Sequence, residues 1–215
     1  MNHAWRWLEF STGIGREVMD KDRLLFQAVK NSSENPYLRF YSWDTPTLSY
    51  GRTQGMDIQT QTDFLAKGWN IARRPTGGGR VLHQRDLCFT VAWRKENSEL
   101  PWKVMDSYCA IHTWLKNSLE TVGYTLESCP DAKSSNPESW CFQSPVAHDI
   151  LKEGQKIIGG AQWREGSAAL HQGSIQLEKL VSVTPVSSLI SILKTTFQST
   201  FKVQFYEEAL CSSNN

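Results

Sequence analysis

The chain has 215 residues, of which 40% are hydrophobic and 21% charged, and its formal net charge at pH 7 is +1. This length allows one substantial core, so a single domain is the simplest prediction. The near-neutral charge argues against a nucleic-acid-binding domain, which is normally basic. An N-terminal apolar leader is absent, as is any run of roughly 18 apolar residues. We therefore expect a soluble, cytoplasmic protein that binds neither nucleic acid nor a membrane.

The N-terminal part predicts short strands that alternate with two helices. Strands are predicted at residues 5–10, 37–43, 48–52 and 69–72 from their alternating or β-preferring residues. Apolar residues at helical spacing predict an amphipathic helix over 16–31. A second helix is predicted over 57–68, with Asp57 as its N-cap and Gly68 as its stop.

A glycine-rich stretch follows the strand at 69–72. It consists of Arg73, Arg74, Pro75, Thr76, Gly77, Gly78 and Gly79. Consecutive glycines are tolerated where the backbone needs a positive φ or where a ligand approaches closer than a Cβ allows. Guanidinium groups and exposed N–H groups both suit anionic oxygens. A hairpin turn with solvated arginines explains the same residues, and the stretch alone leaves both interpretations open.

The C-terminal part predicts a series of strands and two helices. Strands are predicted at residues 87–93, 147–152, 155–163, 167–177 and, weakly, 202–206, with helices over 103–122 and 184–197. Residues 127–139 form a polar loop interrupted by proline. The non-alternating order of strands and helices indicates an α+β domain, with a mixed β-sheet and helices packed on one side.

The five cysteines do not suggest a disulfide framework or a structural metal site. They are odd in number and lack C-x-x-C pairing: Cys88, Cys109, Cys129, Cys141 and Cys211. Cys88 lies in a predicted central strand, where a free cysteine packs as a small hydrophobe. Cys109 and His112 lie on a predicted helix and are interpreted as structural or surface groups.

Lys156 heads a strand of small and apolar residues, Ile157 to Gln162, after a turn at Glu153 and Gly154. A lysine in this position can direct its ammonium group into a cavity, where it polarises a carbonyl or neutralises a phosphate. The residues alone favour the simpler interpretation of an ordinary exposed turn lysine.

Four motifs together resemble a known family. R-R-P-T-G-G-G-R-V-L-H (73–83) and G-Q-K-I-I-G-G-A-Q (154–162) are accompanied by W-D-T-P-T-L-S-Y-G-R-T-Q (43–54) and H-Q-G-S-I (171–175). The chain is similar to the catalytic domain shared by lipoate–protein ligases, octanoyl/lipoyl transferases and biotin–protein ligases. The motifs cover most of residues 5–178 in family order. The resemblance implies a class II synthetase/biotin-lipoate ligase-like fold, as a single domain over 1–215 without a C-terminal accessory domain.

The resemblance also implies a site. An acyl-binding tunnel is expected to be lined by Arg73, Thr76, Gly77, Gly78, Gly79, His83, Gly159, Gly160 and Ala161. Lys156 is expected to contact the acyl carbonyl or an adenylate phosphate. Two departures from the family pattern stand out: Gly160 replaces the usual serine, and His171-Gln172-Gly173 replaces the usual H-G, which leaves a role for His171 open.

Two chemistries use such a tunnel. The C-F-x-x-P pattern at Cys141 resembles the cysteine-dependent octanoyltransferases of the Gram-positive type, in which a thiol relays the acyl group and no cofactor is needed. The alternative is a lipoate–protein ligase, which needs ATP and magnesium, and a lesser one is a non-catalytic acyl-binding protein. The substrate is an octanoyl group or lipoate in either enzyme.

The resemblance further implies partners. Acyl carrier protein is the expected donor, and the expected acceptor is the lipoyl domain of a 2-oxoacid dehydrogenase complex or the glycine cleavage H protein. An acidic carrier calls for a local basic patch, for which the sequence suggests Arg52, Arg73, Arg74, Arg80 and Arg85.

Overall fold

An eight-stranded mixed sheet forms the centre of the molecule. The computed structural model describes residues 4–31, 35–96, 99–130, 140–143, 145–180 and 184–207. From edge to edge the strands are β11 (Gln204–Glu207), β1 (Ala4–Gly13), β2 (Tyr37–Trp43), β6 (Asp86–Arg94), β10 (Ala168–Gln176), β9 (Gln155–Glu165), β8 (Ile150–Lys152) and β7 (Glu127–Ser128). The pairs β11–β1 and β1–β2 are parallel, and the other neighbours are antiparallel. This arrangement confirms the predicted α+β class and mixed sheet.

A second, three-stranded sheet carries the glycine-rich stretch. Its strands are β4 (Asn70–Arg73), β3 (Thr47–Tyr50) and β5 (Val81–His83), with β3 in the middle. The strand β3 pairs in parallel with β4 and antiparallel with β5. The glycines therefore connect two strands of one small sheet, which fixes both ends of their loop.

Five helices complete the described fold. They are α1 (Gly15–Lys30), α2 (Ile58–Ala66), α3 (Val104–Glu120), α4 (Leu177–Leu180) and α5 (Val186–Phe201). The predicted cap of α2 is present, since Asp57 accepts a hydrogen bond of 2.8 Å from the Thr60 N–H. Crossing a membrane takes a longer and more apolar helix than any of those described.

The two faces of the large sheet are covered differently. On one face, Phe40 and Phe89 pack with α3 and α5, and the Trp114 and Phe197 rings meet edge-on at 4.9 Å. On the other face lies α1, whose Asp22 forms a buried ion pair of 2.8 Å with Arg39. Residues 39 and 40 point to opposite faces of β2, so their contacts show that helices pack against both faces of the sheet. The sequence analysis predicted helices on one face only.

One cross-strand row on the α1 face leads to the site. Tyr41 pairs with Cys88, Cys88 with Ser174, and Ser174 with Gly159. These residues run from the middle of the sheet to β9. Most of the predicted polar loop at 127–139 lies outside the described residues.

Candidate active site

A cavity lies between α1, the α1-facing side of the large sheet, and the small sheet. Its free volume is about 30 Å³, so the cavity is narrow. Its apolar wall includes Met19, Tyr41, Trp43, Val81 and Phe142. Four predicted site residues also line it: His83, Gly159, Gly160 and Ala161. A lining that is apolar apart from a few polar groups suits a largely apolar ligand.

Lys156 lies at this cavity because Gly159 has no side chain. A Cβ built on Gly159 meets Lys156 Cε at 2.2 Å and Nζ at 2.6 Å, so the lysine occupies the space that any other residue at 159 would fill. The turn before β9 has Glu153 at φ 52° and Gly154 at φ 73°, as in a tight hairpin. The lysine is 2% exposed and therefore differs from an ordinary turn lysine.

Asp149 holds the Lys156 ammonium group, a contact that sequence analysis did not predict. Its Oδ2 lies 2.7 Å from Lys156 Nζ and accepts a hydrogen bond from the Val146 N–H. Its Oδ1 accepts one of 2.6 Å from Tyr108 Oη. Tyr108 also contacts the backbone of Gly160, whose N–H donates to Tyr108 Oη at 3.1 Å. A charge buried this deeply is tolerated when it is paired and hydrogen bonded, as here.

The glycine loop lies against β9. Among its three glycines, Gly78 has a positive φ of 87°, and a Cβ on it would lie 3.5 Å from the Ala161 Cβ. The closest backbone approach is at Gly51, where a Cβ would meet the Gly78 carbonyl oxygen at 2.3 Å. The described residues that line the cavity do not include Gly77, Gly78 or Gly79. The loop instead packs against Ala161, which does line it.

The two adjacent arginines have different surroundings. Arg74 is 7% exposed, and its guanidinium donates to the carbonyl oxygens of Gly77 and Gly79 at 3.0 and 2.7 Å. Arg73 is exposed, and its Nη2 donates to the Arg52 carbonyl. Arg74 thus braces the loop, and Arg73 is the one that faces solvent.

Thr76 connects the glycine loop to the sheet and to α1. Its hydroxyl donates to Gln172 Oε1 at 2.8 Å, and Gln172 Nε2 donates to Asp22 Oδ2 at 2.6 Å. Asp22 is in turn paired with Arg39. Gln172 stands within the unusual H-Q-G segment, and this chain of contacts gives it a positioning role that the sequence did not indicate.

His83 belongs to a buried polar cluster on the cavity wall. Its Nδ1 lies 2.6 Å from Asp86 Oδ2, and its Nε2 lies 2.6 Å from Ser49 Oγ. Burial alone raises the pKa of the Asp86 carboxyl, but the charge and hydrogen bond of His83 outweigh it and bring the pKa below its usual value. Burial, together with the Asp86 charge, raises the pKa of the Cys88 thiol well above its usual value. Cys88 is therefore a neutral thiol in the wall.

The same cluster has the composition of a metal site. His83, Asp86 and Cys88 each offer one donor atom, and these atoms lie within 4.8 Å of one another. Asp86 Oδ2 already accepts hydrogen bonds from Cys88 and from the Ser174 hydroxyl. Hydrogen bonds to Asp86 therefore explain why the side chains of His83 and Cys88 lie close to it.

His171 explains the glycine at position 160. A Cβ on Gly160 would lie 2.3 Å from His171 Nε2, and the imidazole stacks on Phe89 at 5.6 Å. Burial, followed by the charge of Arg164, lowers the pKa of His171 to about 3. The ring is therefore neutral. It lies beneath Gly160 on the α3-facing side of the sheet, away from the cavity. Gly160, which departs from the family pattern, therefore lies against His171 of the unusual H-Q-G segment.

The turn that contains Cys141 lies beside the lysine. The backbone of Cys141 begins a 3₁₀ turn, Cys141–Gln143, whose side chain at 141 lies outside the described part of the structure. The next residue, Phe142, lines the cavity, and Lys156 Nζ lies 5.2 Å from the centre of its ring. Trp140 on the other side bridges to Arg80.

Comparison with known sequences gives a consistent family. The lipoyl protein ligase A/B catalytic domain matches residues 15–208. Octanoyltransferase LipM of Carboxydothermus hydrogenoformans is 34% identical over 193 residues, which cover 86% of this chain and 71% of that protein. Octanoyltransferase LipM of Staphylococcus epidermidis is 26% identical over 218 residues, covering 98% of this chain and 78% of that protein.

Comparison with solved structures supports the fold. A putative lipoate protein ligase of Thermoplasma acidophilum, Ta0514, with bound lipoic acid, aligns with a TM-score of 0.73 at 22% identity. The alignment covers 99% of this chain and 90% of that chain. A lipoate-protein ligase A bound with ATP aligns with a TM-score of 0.71 at 20% identity over 99% and 90% of the two chains.

Proposed function

Because the chain belongs to the lipoyl protein ligase A/B catalytic domain family, we propose that it is an octanoyltransferase that modifies a lysine of a lipoyl carrier domain. Relatives named octanoyltransferase at up to 34% identity support the reaction class. The observation that carries the proposal is the apolar cavity, bounded by the residue after Cys141 and by the glycine that makes room for Lys156.

The proposed reaction proceeds through two acyl transfers. The Cys141 thiolate attacks the carbonyl of an octanoyl or lipoyl thioester, and the donor thiol leaves with a proton. The carrier lysine, as a neutral amine, then attacks the thioester on Cys141. The C–S bond breaks as the amide forms, and the amine proton returns to the sulfur. One thioester is exchanged for another, so the route needs no ATP.

Lys156 has the proposed role of stabilising the oxyanion that forms in each step. Its ammonium is fixed by Asp149 at 2.7 Å and by the Phe142 ring, so little reorganisation is needed when charge develops. Thr76, Arg73 and His83 are proposed to shape and orient the tunnel. Gly77, Gly78 and Gly79 act behind its wall, and Gly159, Gly160 and Ala161 form the strand along which the acyl group lies.

The proposed donor is an octanoyl acyl carrier protein, and the reaction takes place in the cytoplasm. The proposed acceptor is the lipoyl domain of a 2-oxoacid dehydrogenase complex or the glycine cleavage H protein. Relatives named octanoyltransferase and a structural relative described with its E2 lipoyl domain support a lipoyl-domain acceptor.

Trapping the acyl-enzyme tests the relay. Incubation with octanoyl acyl carrier protein is expected to add one octanoyl group to the intact protein, and hydroxylamine should remove it. Cys141→Ala should abolish both the adduct and transfer to a lipoyl domain, while Cys129→Ala, a matched change at a half-buried thiol, should retain both. Transfer by Cys141→Ala at the wild-type rate would exclude the relay.

A parallel reaction distinguishes the alternative enzyme. In it, the thioester donor is replaced by free lipoate, ATP and magnesium. Modification of the carrier in this reaction, and none with the thioester donor, would identify a lipoate–protein ligase. Thermal stabilisation by octanoate without modification in either reaction would identify a non-catalytic acyl-binding protein.

A further inference from the structure

A pocket rich in arginine lies beside the acyl cavity. Its free volume is about 360 Å³, and four arginines line it: Arg23, Arg52, Arg73 and Arg74. Among the described residues, the rest of the lining consists of Thr53, Pro75 and Trp163, without an acidic side chain. Four positive charges converge here in a chain whose net charge is +1.

Three of the arginines are held in place by the fold, whereas Arg23 is exposed and forms an ion pair with Asp20, which does not line the pocket. The Arg52 guanidinium lies 4.9 Å from the Trp163 ring centre, and that ring packs on Phe26 at 4.4 Å. Arg73 Nη2 donates to the Arg52 carbonyl, which links the two residues. Ordered guanidinium groups lose little entropy when they bind a planar or tetrahedral oxyanion. The pocket is therefore prepared for an anion with several charged oxygens.

Arg74 connects this pocket to the acyl cavity, because it lines both. It is largely buried, and its guanidinium donates to Ser49 Oγ at 2.7 Å and to the glycine loop. These bonds fix its position between the pocket and the cavity. A ligand whose acyl chain fills the cavity has the arginine pocket beside it for a second, anionic part. The two compartments together suit a molecule with an apolar end and a phosphate.

We propose that the arginine pocket binds the phosphate of the pantetheine arm that carries the donor thioester. This inference rests on the proposed transferase function, since cellular acyl thioesters are carried on phosphorylated pantetheine. Guanidinium groups bind phosphate oxygens through charge-assisted, bidentate hydrogen bonds. The basic patch suggested by the sequence is thereby revised. Arg52, Arg73 and Arg74 are joined by Arg23, whereas Arg80 lines a different pocket and lies 3.9 Å from Asp57.

A matched pair of small donors tests the assignment. Octanoyl-4′-phosphopantetheine and octanoyl-pantetheine differ by one phosphate. Wild type should use the phosphorylated donor with a kcat/KM about 10-fold or more higher, mainly through KM. The double variant Arg23→Gln/Arg52→Gln should lower kcat/KM for the phosphorylated donor alone to within about twofold of the other. Arg85→Gln, an exposed arginine outside the pocket, should keep the wild-type preference.

The outcomes separate this inference from the proposed function. Equal use of the two donors by wild type, or an equal loss on both in the double variant, overturns the phosphate assignment while the transferase stands. Transfer from octanoyl acyl carrier protein but from neither small donor also overturns the phosphate assignment, and transfer from none of the three overturns the transferase itself. If the double variant impairs only modification from octanoate, ATP and magnesium, the phosphate belongs to a nucleotide and the donor assignment is wrong.

Discussion

Gly159 fixes the position of the lysine at the centre of the proposed reaction. Lys156 Cε and Nζ occupy the space above its Cα, and Asp149 holds the ammonium group on the far side. Because the atoms in the way belong to the end of a flexible side chain, a small residue at 159 displaces the lysine without unfolding the strand. The glycine of the K-x-x-G segment thus serves the lysine three residues before it.

Gly159→Ala is expected to separate activity from stability. Displacement of Lys156 removes one electrostatic contact to the oxyanion, which lowers kcat for octanoyl transfer by about 10²-fold. The melting temperature should change by only a few degrees. Gly55→Ala is a matched control, because a Cβ at Gly55 meets nothing within 4 Å. Wild-type turnover in Gly159→Ala would show that the lysine position is immaterial to the reaction.

Sequence reasoning reached some of these residues and missed others for a physical reason. Lys156 and Cys141 were indicated by motifs in which the spacing along the chain is itself the signal. Asp149 and Tyr108 are 41 residues apart and meet only through the fold. Tyr108 lay on the apolar stripe of a predicted helix, where a core role accounts for it equally well. A hydroxyl group that contacts a buried carboxylate far along the chain leaves no pattern in the neighbouring sequence, so the sequence could not predict this contact.

At the level of elements, β9 and β10 are fitted together by the contact between Gly160 and His171. Gly160 on β9 and His171 on β10 project to the same face, away from the cavity, and the imidazole fills the space that a side chain at 160 would need. The family's usual serine at this position would collide with the ring. The glycine at 160 and the imidazole of His171 therefore form one packing solution, which preserves the strand pairing beside Lys156.

A double-mutant cycle tests this pairing. Gly160→Ser should lower the free energy of unfolding by about 1–3 kcal/mol, because it overpacks a filled site. With His171→Ala in the same chain, the serine should cost less than it does alone, giving a coupling of about 1 kcal/mol. Urea denaturation of the four proteins measures the cycle. Additive effects would show that the two residues do not share the space.

The elements themselves were largely predictable from periodicity. The bounds predicted for β2 are the observed ones, and those for α1 and α3 differ by one or two residues. The short strand β5 was not assigned, because three residues after a glycine run carry no period. Residues 86–93 of β6 are all buried, so helices cover both of its faces. The sequence did not reveal this, because Asp86 and Thr90 alternate with apolar residues as on a strand with one solvent-facing side.

At the scale of the whole molecule, the core contains two neutral histidines on the α3 side of the sheet. The rings of His112 and His171 lie 5.3 Å apart. Burial, followed by the charges of His171 and Lys156, lowers the pKa of His112 well below its usual value. The His171 pKa is lowered to about 3. Neither ring can be protonated without placing an uncompensated charge inside the fold.

Stability should therefore fall as the pH is lowered through the range in which only the unfolded chain binds these protons. An unfolded histidine takes up its proton below pH about 6.5, whereas His171 in the folded protein stays neutral down to about 3. Each such histidine lowers the free energy of unfolding by about 1.4 kcal/mol per pH unit in this window. Urea denaturation between pH 6 and 4.5 measures this slope. The interval lies above the pH range in which titration of the Asp86 carboxyl changes the stability. His171→Gln should remove about one proton's worth of slope, and an unchanged slope would mean that His171 is protonated in the folded state.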